Sequence, residues 1–290
     1  MEMKYLKLMT KNILIYIALF FGSVSETIAQ HAYFPMKGTI MFDREVYTRA
    51  RIRELMQEHS DNRNPRIVMR HEGNINEIPE KTVSQFLLQF DEDETLMQPY
   101  EQEENTTATP NRPIRSSGSR NRNIRQGINR SSQQGKIYYQ NIKTQEAEIA
   151  LELDEKYLLQ DSLQNITWRF TDEYRNIAGY ECRRVNGATP DSLYIVAFYT
   201  DQIPLSAGPV LTHGLPGMIL GLAIPEMHIN YWATKVDFSV ENVPKQWRDK
   251  KNKILTTEQF FESLNNNRIF GGSGSDPRQR RRNLLENLIY

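Results

Sequence analysis

The chain has 290 residues, 36 basic and 36 acidic side chains, a formal net charge of zero and a single cysteine. Without net charge, no whole-molecule field steers it to nucleic acid or to an anionic membrane surface. A lone Cys182 excludes an intramolecular disulfide framework, so stability must come from a buried core.

The first residues fall into three zones. Lys4, Lys7 and Lys11 make a basic start, Ile13–Phe21 is an uncharged apolar run, and Ser23–Ala29 is a polar exit with Thr27 and Ala29 at small-residue positions. This order predicts a secretory signal peptide over residues 1–29, cleaved before Gln30. An uncleaved membrane helix needs about 20 apolar residues, roughly twice what this core offers. No later run is long enough to span a bilayer, so no transmembrane segment is expected once the signal is removed.

The next elements are β-rich. Lys37–Tyr47 and Thr82–Phe90 read as strands, separated by an amphipathic helix over Arg49–His59 with Ile52, Leu55 and Met56 on one face. Seven acids and no base lie between Asp91 and Glu104. Seven bases and no acid lie between Arg112 and Lys136. Residues 106–134 are rich in Ser, Asn, Gln, Arg and Gly and poor in large apolar residues. That composition predicts a disordered insertion. It has no aromatic interleaving on which bases could stack, so nucleic acid is not an expected partner.

From Lys136 onward, short β-branched and aromatic segments alternate with turn residues, the pattern of an all-β domain. Ile166, Trp168 and Phe170 predict a half-buried strand. Leu193–Thr200 is apolar on both faces, as a central strand would be, and Ile229–Thr234 alternates. Turns are expected at Asn176–Gly179, Asn186-Gly187 and Ala188–Asp191. A second helix is expected over Thr257–Leu264, with a threonine cap and acids in its first turn. The tail, residues 271–290, starts with glycines, serines and four arginines and reads as flexible and basic, with a short frayed helix over Asn283–Tyr290. The fold class expected is mainly β (α+β): a single curved antiparallel sheet or open β-barrel-like domain over residues 30–270, with a few short helices and the interruption at 106–134.

The most distinctive stretch is Ile203–Pro209 followed by His213–Leu222, where glycines and prolines bracket an apolar core. Gly214 and Gly217 can take backbone angles closed to other residues, and Pro216 fixes its own. The expected product is a rigid loop feeding a buried strand, anchored by Leu215, Met218, Ile219 and Leu220. At Gly214-Leu215-Pro216-Gly217-Met218-Ile219 the chain resembles the GLPGLI family of secreted Gram-negative envelope proteins, with Met218 in place of the family's leucine. The resemblance extends to Trp168 with Glu173, to Ile177–Cys182, to Phe198–Pro204 with Phe198 where tryptophan is usual, to Gly208-Pro209 and to Thr256–Phe261. It covers about Gly38 to Asn267. The family implies a compartment and a fold, and it supplies no catalytic residues.

The five histidines show no metal-ligand spacing. No cofactor and no metal are expected. His213 and His228 would converge only if the intervening segment folds back, with Asp201 orienting one of them. The leading expectation is an exported, non-catalytic binding or interaction module of a Gram-negative envelope, in the periplasm or at the outer membrane. It would receive an apolar ligand or an envelope protein partner at the loop formed by Gly208, Pro209, His213, Gly214, Leu215, Pro216, Gly217, Met218 and Ile219. The alternatives are a periplasmic hydrolase or metal-dependent enzyme centred on His213, and a structural accessory of an outer-membrane complex. Intact-mass measurement of the exported protein is expected to show a chain starting at Gln30; retention of residues 1–29 would contradict the signal reading.

Overall fold

In the computed structural model, the alternating pattern becomes, among the described residues, one twelve-stranded sheet with two short helices. The structure describes residues 36–61, 78–100, 135–153, 155–265, 281 and 284–290, all within the unit Phe34–Tyr290. The expected signal peptide, the insertion at 106–134 and most of the basic tail lie outside the described residues.

The sheet is built from two antiparallel meanders. Strands β1 (Gly38–Val46), β2 (Thr82–Phe90), β3 (Glu94–Pro99), β4 (Ile137–Asn141), β5 (Glu146–Glu152) and β6 (Lys156–Ser162) pair in sequence order. So do β7 (Thr167–Ile177), β8 (Tyr180–Ala188), β9 (Tyr194–Thr200), β10 (Met218–Ile224) and β11 (Ile229–Phe238). Pairing of β1 with β11 joins the meanders, from Gly38 opposite Phe238 to Val46 opposite Ile229. A short β12 (Lys253–Leu255) adds in parallel to β6 and leads into helix α2 (Thr257–Asn265). Helix α1 (Thr48–Asp61) follows β1.

The connection from β6 to β7 fixes the curvature. These strands stand near opposite ends of the sheet, yet only Leu163–Ile166 separate them. Ten interstrand steps would span about 48 Å in a flat sheet, whereas so short a link reaches about 17 Å. The sheet must therefore curl until its two ends approach. No ladder joins them, so the sheet remains open.

The curl turns one face into a core. Ile40 and Phe42 on β1, Leu88 on β2, Leu159 on β6, Ile195 on β9, Leu222 on β10 and Tyr231 on β11 belong to one buried cluster. The opposite face carries a smaller cluster of Leu96, Tyr139 and Val243. There the Arg248 guanidinium lies 4.9 Å from the Tyr139 ring and 4.5 Å from the Trp247 ring, and its Nε donates to Glu148 at 2.6 Å.

Three local expectations are corrected. Asn186-Gly187 is not a turn: both residues lie inside β8. The glycine is needed because Trp168 packs on it, and a Cβ there would come within 2.5 Å of the indole ring. The strand with Trp168 and Phe170 is an edge strand, paired on one side only, which leaves Phe170 48% exposed. The last residues, expected within a flexible tail, enter the core, with Leu284, Leu288 and Ile289 buried. Their main chain is received by polar groups of the sheet. Tyr138 Oη donates to the Ile289 oxygen at 2.7 Å, Tyr231 Oη to that of Tyr290 at 3.0 Å, and Arg44 Nη2 to the same oxygen at 2.9 Å. Burial pushes the Tyr138 phenol well up and the Tyr231 phenol up, and it holds the buried Lys136 ammonium well below the ordinary lysine range, with Arg44 and Arg51 adding repulsion.

Cys182 sits on β8, fully buried and unbridged, and burial pushes its thiol up to about 12. The thiolate is the reactive form. A thiol reagent at neutral pH is thus expected to label the denatured protein rapidly and the folded protein hardly at all; fast labelling of the folded chain would contradict the burial.

Candidate functional site

The loop between β9 and β10 is held from several sides. Met218 N donates to Ile203 O at 2.9 Å and Ile219 N to Ala207 O at 2.8 Å, while Ala207 and His213 form an isolated bridge. Trp168 Nε1 donates to the His213 oxygen at 2.9 Å, and Gly214 N to Ser206 Oγ at 2.9 Å. From the other meander, the buried Gln140 Nε2 donates to the Gly208 oxygen at 3.2 Å.

Both motif glycines have positive φ, 87° at Gly214 and 157° at Gly217. At Gly217 a Cβ would stand 2.0 Å from the Thr200 carbonyl oxygen, so no other residue fits without moving backbone. Gly208 is small for another reason: its backbone is extended, but a Cβ would meet Ile219 and Thr212 Oγ1. Pro209 opens a tight turn over Pro209–Leu211 whose backbone is left-handed at Val210. Leu215, Met218 and Ile219 are buried, with Leu220 beside them. Only Gly214 and Pro216 of the motif face solvent. The side chains of the motif are thus spent on the core.

His213 is also buried. Its Nδ1 lies 3.1 Å from the Leu211 carbonyl oxygen, and burial lowers its pKa from 6.5 while that contact opposes the shift. His228 instead pairs through Nε2 with Glu54 Oε2 of α1 at 2.6 Å. Asp201 is exposed. The two histidines are engaged separately, neither of them with Asp201, and among the described residues no group of His, Cys, Asp and Glu is arranged to hold a metal ion.

The site that sequence reading did not find lies behind the loop. A cavity of about 220 Å³ opens beside the β6–β7 link, where the sheet ends approach without pairing. Its floor is Ile149, Leu159, Ile195 and Leu222, drawn from both meanders. Val210, Leu211 and Thr212 form one wall, and Leu285, Ile289 and Tyr290 another. Val210 and Leu211 have φ of 53° and 62°, in the left-handed region that β-branched and bulky residues avoid. This is where the loop stores strain, at residues facing the cavity rather than at the motif glycines.

The rim is charged. Asp161 Oδ2 accepts from Thr257 N at 3.0 Å and from Thr257 Oγ1 at 2.5 Å, tying β6 to the start of α2. Arg281 Nε donates to Asp191 Oδ1 at 3.0 Å and its Nη1 to Glu258 Oε2 at 2.8 Å. Asp191 follows β8 and Glu258 lies on α2, so one guanidinium spans the two ends of the sheet. The Tyr290 phenol is pushed up by burial, with the Asp191 charge adding to the shift.

Residues 185–221 match the model of one protein family, described as a protein of unknown function (Porph_ging). That span runs from β8 through the loop into β10, the segment that holds the cavity wall. Two solved structures of PNGF-II, in P21 and C2 space groups, are similar at TM-scores of 0.46 and 0.45 and identities of 13% and 12%. They cover 78% and 79% of this chain, which spans about a third, 32%, of the length of each. No curated protein matches the chain.

Gly217→Ala is expected to lower stability by at least about 2 kcal/mol in thermal melting, because the Thr200 backbone must shift; wild-type melting would contradict the close approach. His213 has a folded pKa below its unfolded value of 6.5. Its contribution to stability is thus present above pH 6.5 and is lost as pH falls through the lowered folded value. The His213→Gln variant is expected to lack that part of the acid dependence. Superimposable pH–stability curves would contradict a buried neutral imidazole.

Proposed function

We propose that this protein is an exported, non-catalytic binding module of the cell envelope, and that the cavity at the open seam of its sheet receives a small, mainly apolar ligand. The observation that carries this reading is the cavity itself, 220 Å³ with an apolar floor beneath a polar rim. Such a combination gives binding energy from burial and orientation from a few fixed polar groups. Its volume suits a ligand somewhat larger than the aromatic hydrocarbons that occupy cavities of about 150 Å³. A rigid wall with its geometry already set lowers the ordering cost of binding.

The compartment and the finer family reading belong to the same proposal. The three-zone start of residues 1–29 supports export to the periplasm or the outer-membrane surface. The Gly214–Ile219 motif, with Trp168, Cys182 and Phe198–Pro204 around it, supports membership of the GLPGLI group of envelope proteins. Among the described residues no helix is long and apolar enough to cross a membrane.

A thermal-shift titration with octan-1-ol tests the cavity. In the wild type the alcohol is expected to raise the melting temperature, by the equivalent of about 2.7 kcal/mol at a hundredfold excess over Kd. Ala147 lines the cavity with a single methyl, so Ala147→Leu, which fills the space, is expected to abolish the shift. Val240→Ser, at a solvent-exposed position, should leave it unchanged. No shift in the wild type, or an equal shift in the filled variant, would overturn the reading. Fractionation that left the chain in the cytoplasm would overturn the export.

A further inference from the structure

We propose that the ligand of the seam cavity is a medium-chain alkylammonium ion, and that Arg281 holds the place of its charged group until the ligand displaces it. The inference rests on the binding reading above and names the ligand's chemistry. Among the described residues, the cavity is lined by three carboxylates, Asp161, Asp191 and Glu258, and by one cation, Arg281. Asp161 is engaged by the main chain and hydroxyl of Thr257, which leaves the other two to hold the guanidinium.

Three features make this position a receptor for an amphipathic cation rather than a surface ion pair alone. Asp191 and Glu258 reach the same guanidinium from different elements, one at its Nε and the other at its Nη1, so a single cation is held by two carboxylates. The Phe261 ring, buried on α2, presents its face to the same guanidinium at 5.7 Å. An aromatic face beside carboxylates attracts an ammonium group, most strongly when that group is partly desolvated. Beyond this point lies the apolar floor of Ile149, Leu159, Ile195 and Leu222, open to a hydrocarbon chain that an arginine stem anchored at position 281 does not supply.

Arg281 is suited to give way. Its side chain is 38% exposed and those of Glu258 and Asp191 are 63% and 23% exposed; the pair with Glu258 is open to water, and such a pair is weak and sensitive to salt. An incoming alkylammonium keeps the charge pairing and adds burial of its chain, which is the free-energy difference that favours exchange. An alkyl carboxylate would meet two like charges at the same point.

The test compares octylammonium, octan-1-ol and octanoate by calorimetric titration against the full chain, in low and moderate salt. Octylammonium is expected to bind about tenfold or more tighter than octan-1-ol at low salt, with octanoate weakest. Salt should narrow the gap. Arg281→Gln should tighten octylammonium severalfold while leaving octan-1-ol unchanged, which a merely structural arginine would not do. Glu258→Gln, at an exposed position, should reduce the preference for the cation, and Asp191→Asn should do the same, each where it melts as the wild type. Equal affinity for octylammonium and octan-1-ol in the wild type and in Arg281→Gln would overturn this inference and leave the cavity reading intact. Absence of binding by all three probes would overturn both.

Discussion

Four residues, Leu163–Ile166, set the architecture. They join strands that stand near opposite ends of a twelve-stranded sheet, and no flat arrangement lets so short a link reach. Once the ends are drawn together, one face of the sheet becomes an interior. Its alternation then has meaning: Ile40, Phe42, Leu88, Leu159, Ile195, Leu222 and Tyr231, far apart along the sheet, become neighbours in one core. The link itself takes part, since Leu163 is buried and Ile166 packs against that core.

Because no backbone ladder closes the seam, other groups must bridge it. The glycine-proline loop fills the interior from one side, with Gln140 clamping Gly208 across the core. The segment 284–290 fills it from another, its carbonyls received by Tyr138, Tyr231 and Arg44, so that main-chain groups brought into the interior are not left unpaired. What remains between these fillers is the cavity. The strained left-handed backbone at Val210 and Leu211 is tolerated where the surrounding loop is pinned at both ends, and it aims two apolar side chains at the vacant space. In this fold the proposed binding site is the volume that an incompletely closed barrel leaves behind.

The strands and both helices were largely legible, because alternation and capping are local signals. β2 spans Thr82–Phe90 as read, and α2 begins at the expected threonine cap. The meaning of the glycines was only partly legible: Gly217 takes the positive φ expected of it, but Gly187 is small because of Trp168, a residue nearly twenty positions away. β3 was hidden in the acidic stretch. There, Asp91 Oδ2 accepts from Val243 N and Glu94 pairs with Lys245, so charges of that stretch hold a long loop to the convex face. The cavity left no mark at all. Its floor and rim come from β5, β6, β9, β10, α2 and the last residues, a set that only the curl brings together. The apolar spacing of Leu284, Leu288 and Ile289 was visible, but the arginines before it dominated the reading of that segment as a tail.

The curl can be measured directly as a distance across the seam. Spin labels at Ser192, after β8, and at Glu262, on α2, occupy exposed positions on the two ends of the sheet, and the buried native cysteine does not compete for label. Because Arg281 touches both Asp191 and Glu258, pulsed dipolar spectroscopy is expected to give a narrow distribution below about 25 Å, whereas an unrolled sheet would separate these sites by about 40 Å or more. A distribution centred at the longer distance would contradict the rolled sheet, and with it the seam, the cavity and the site built on them.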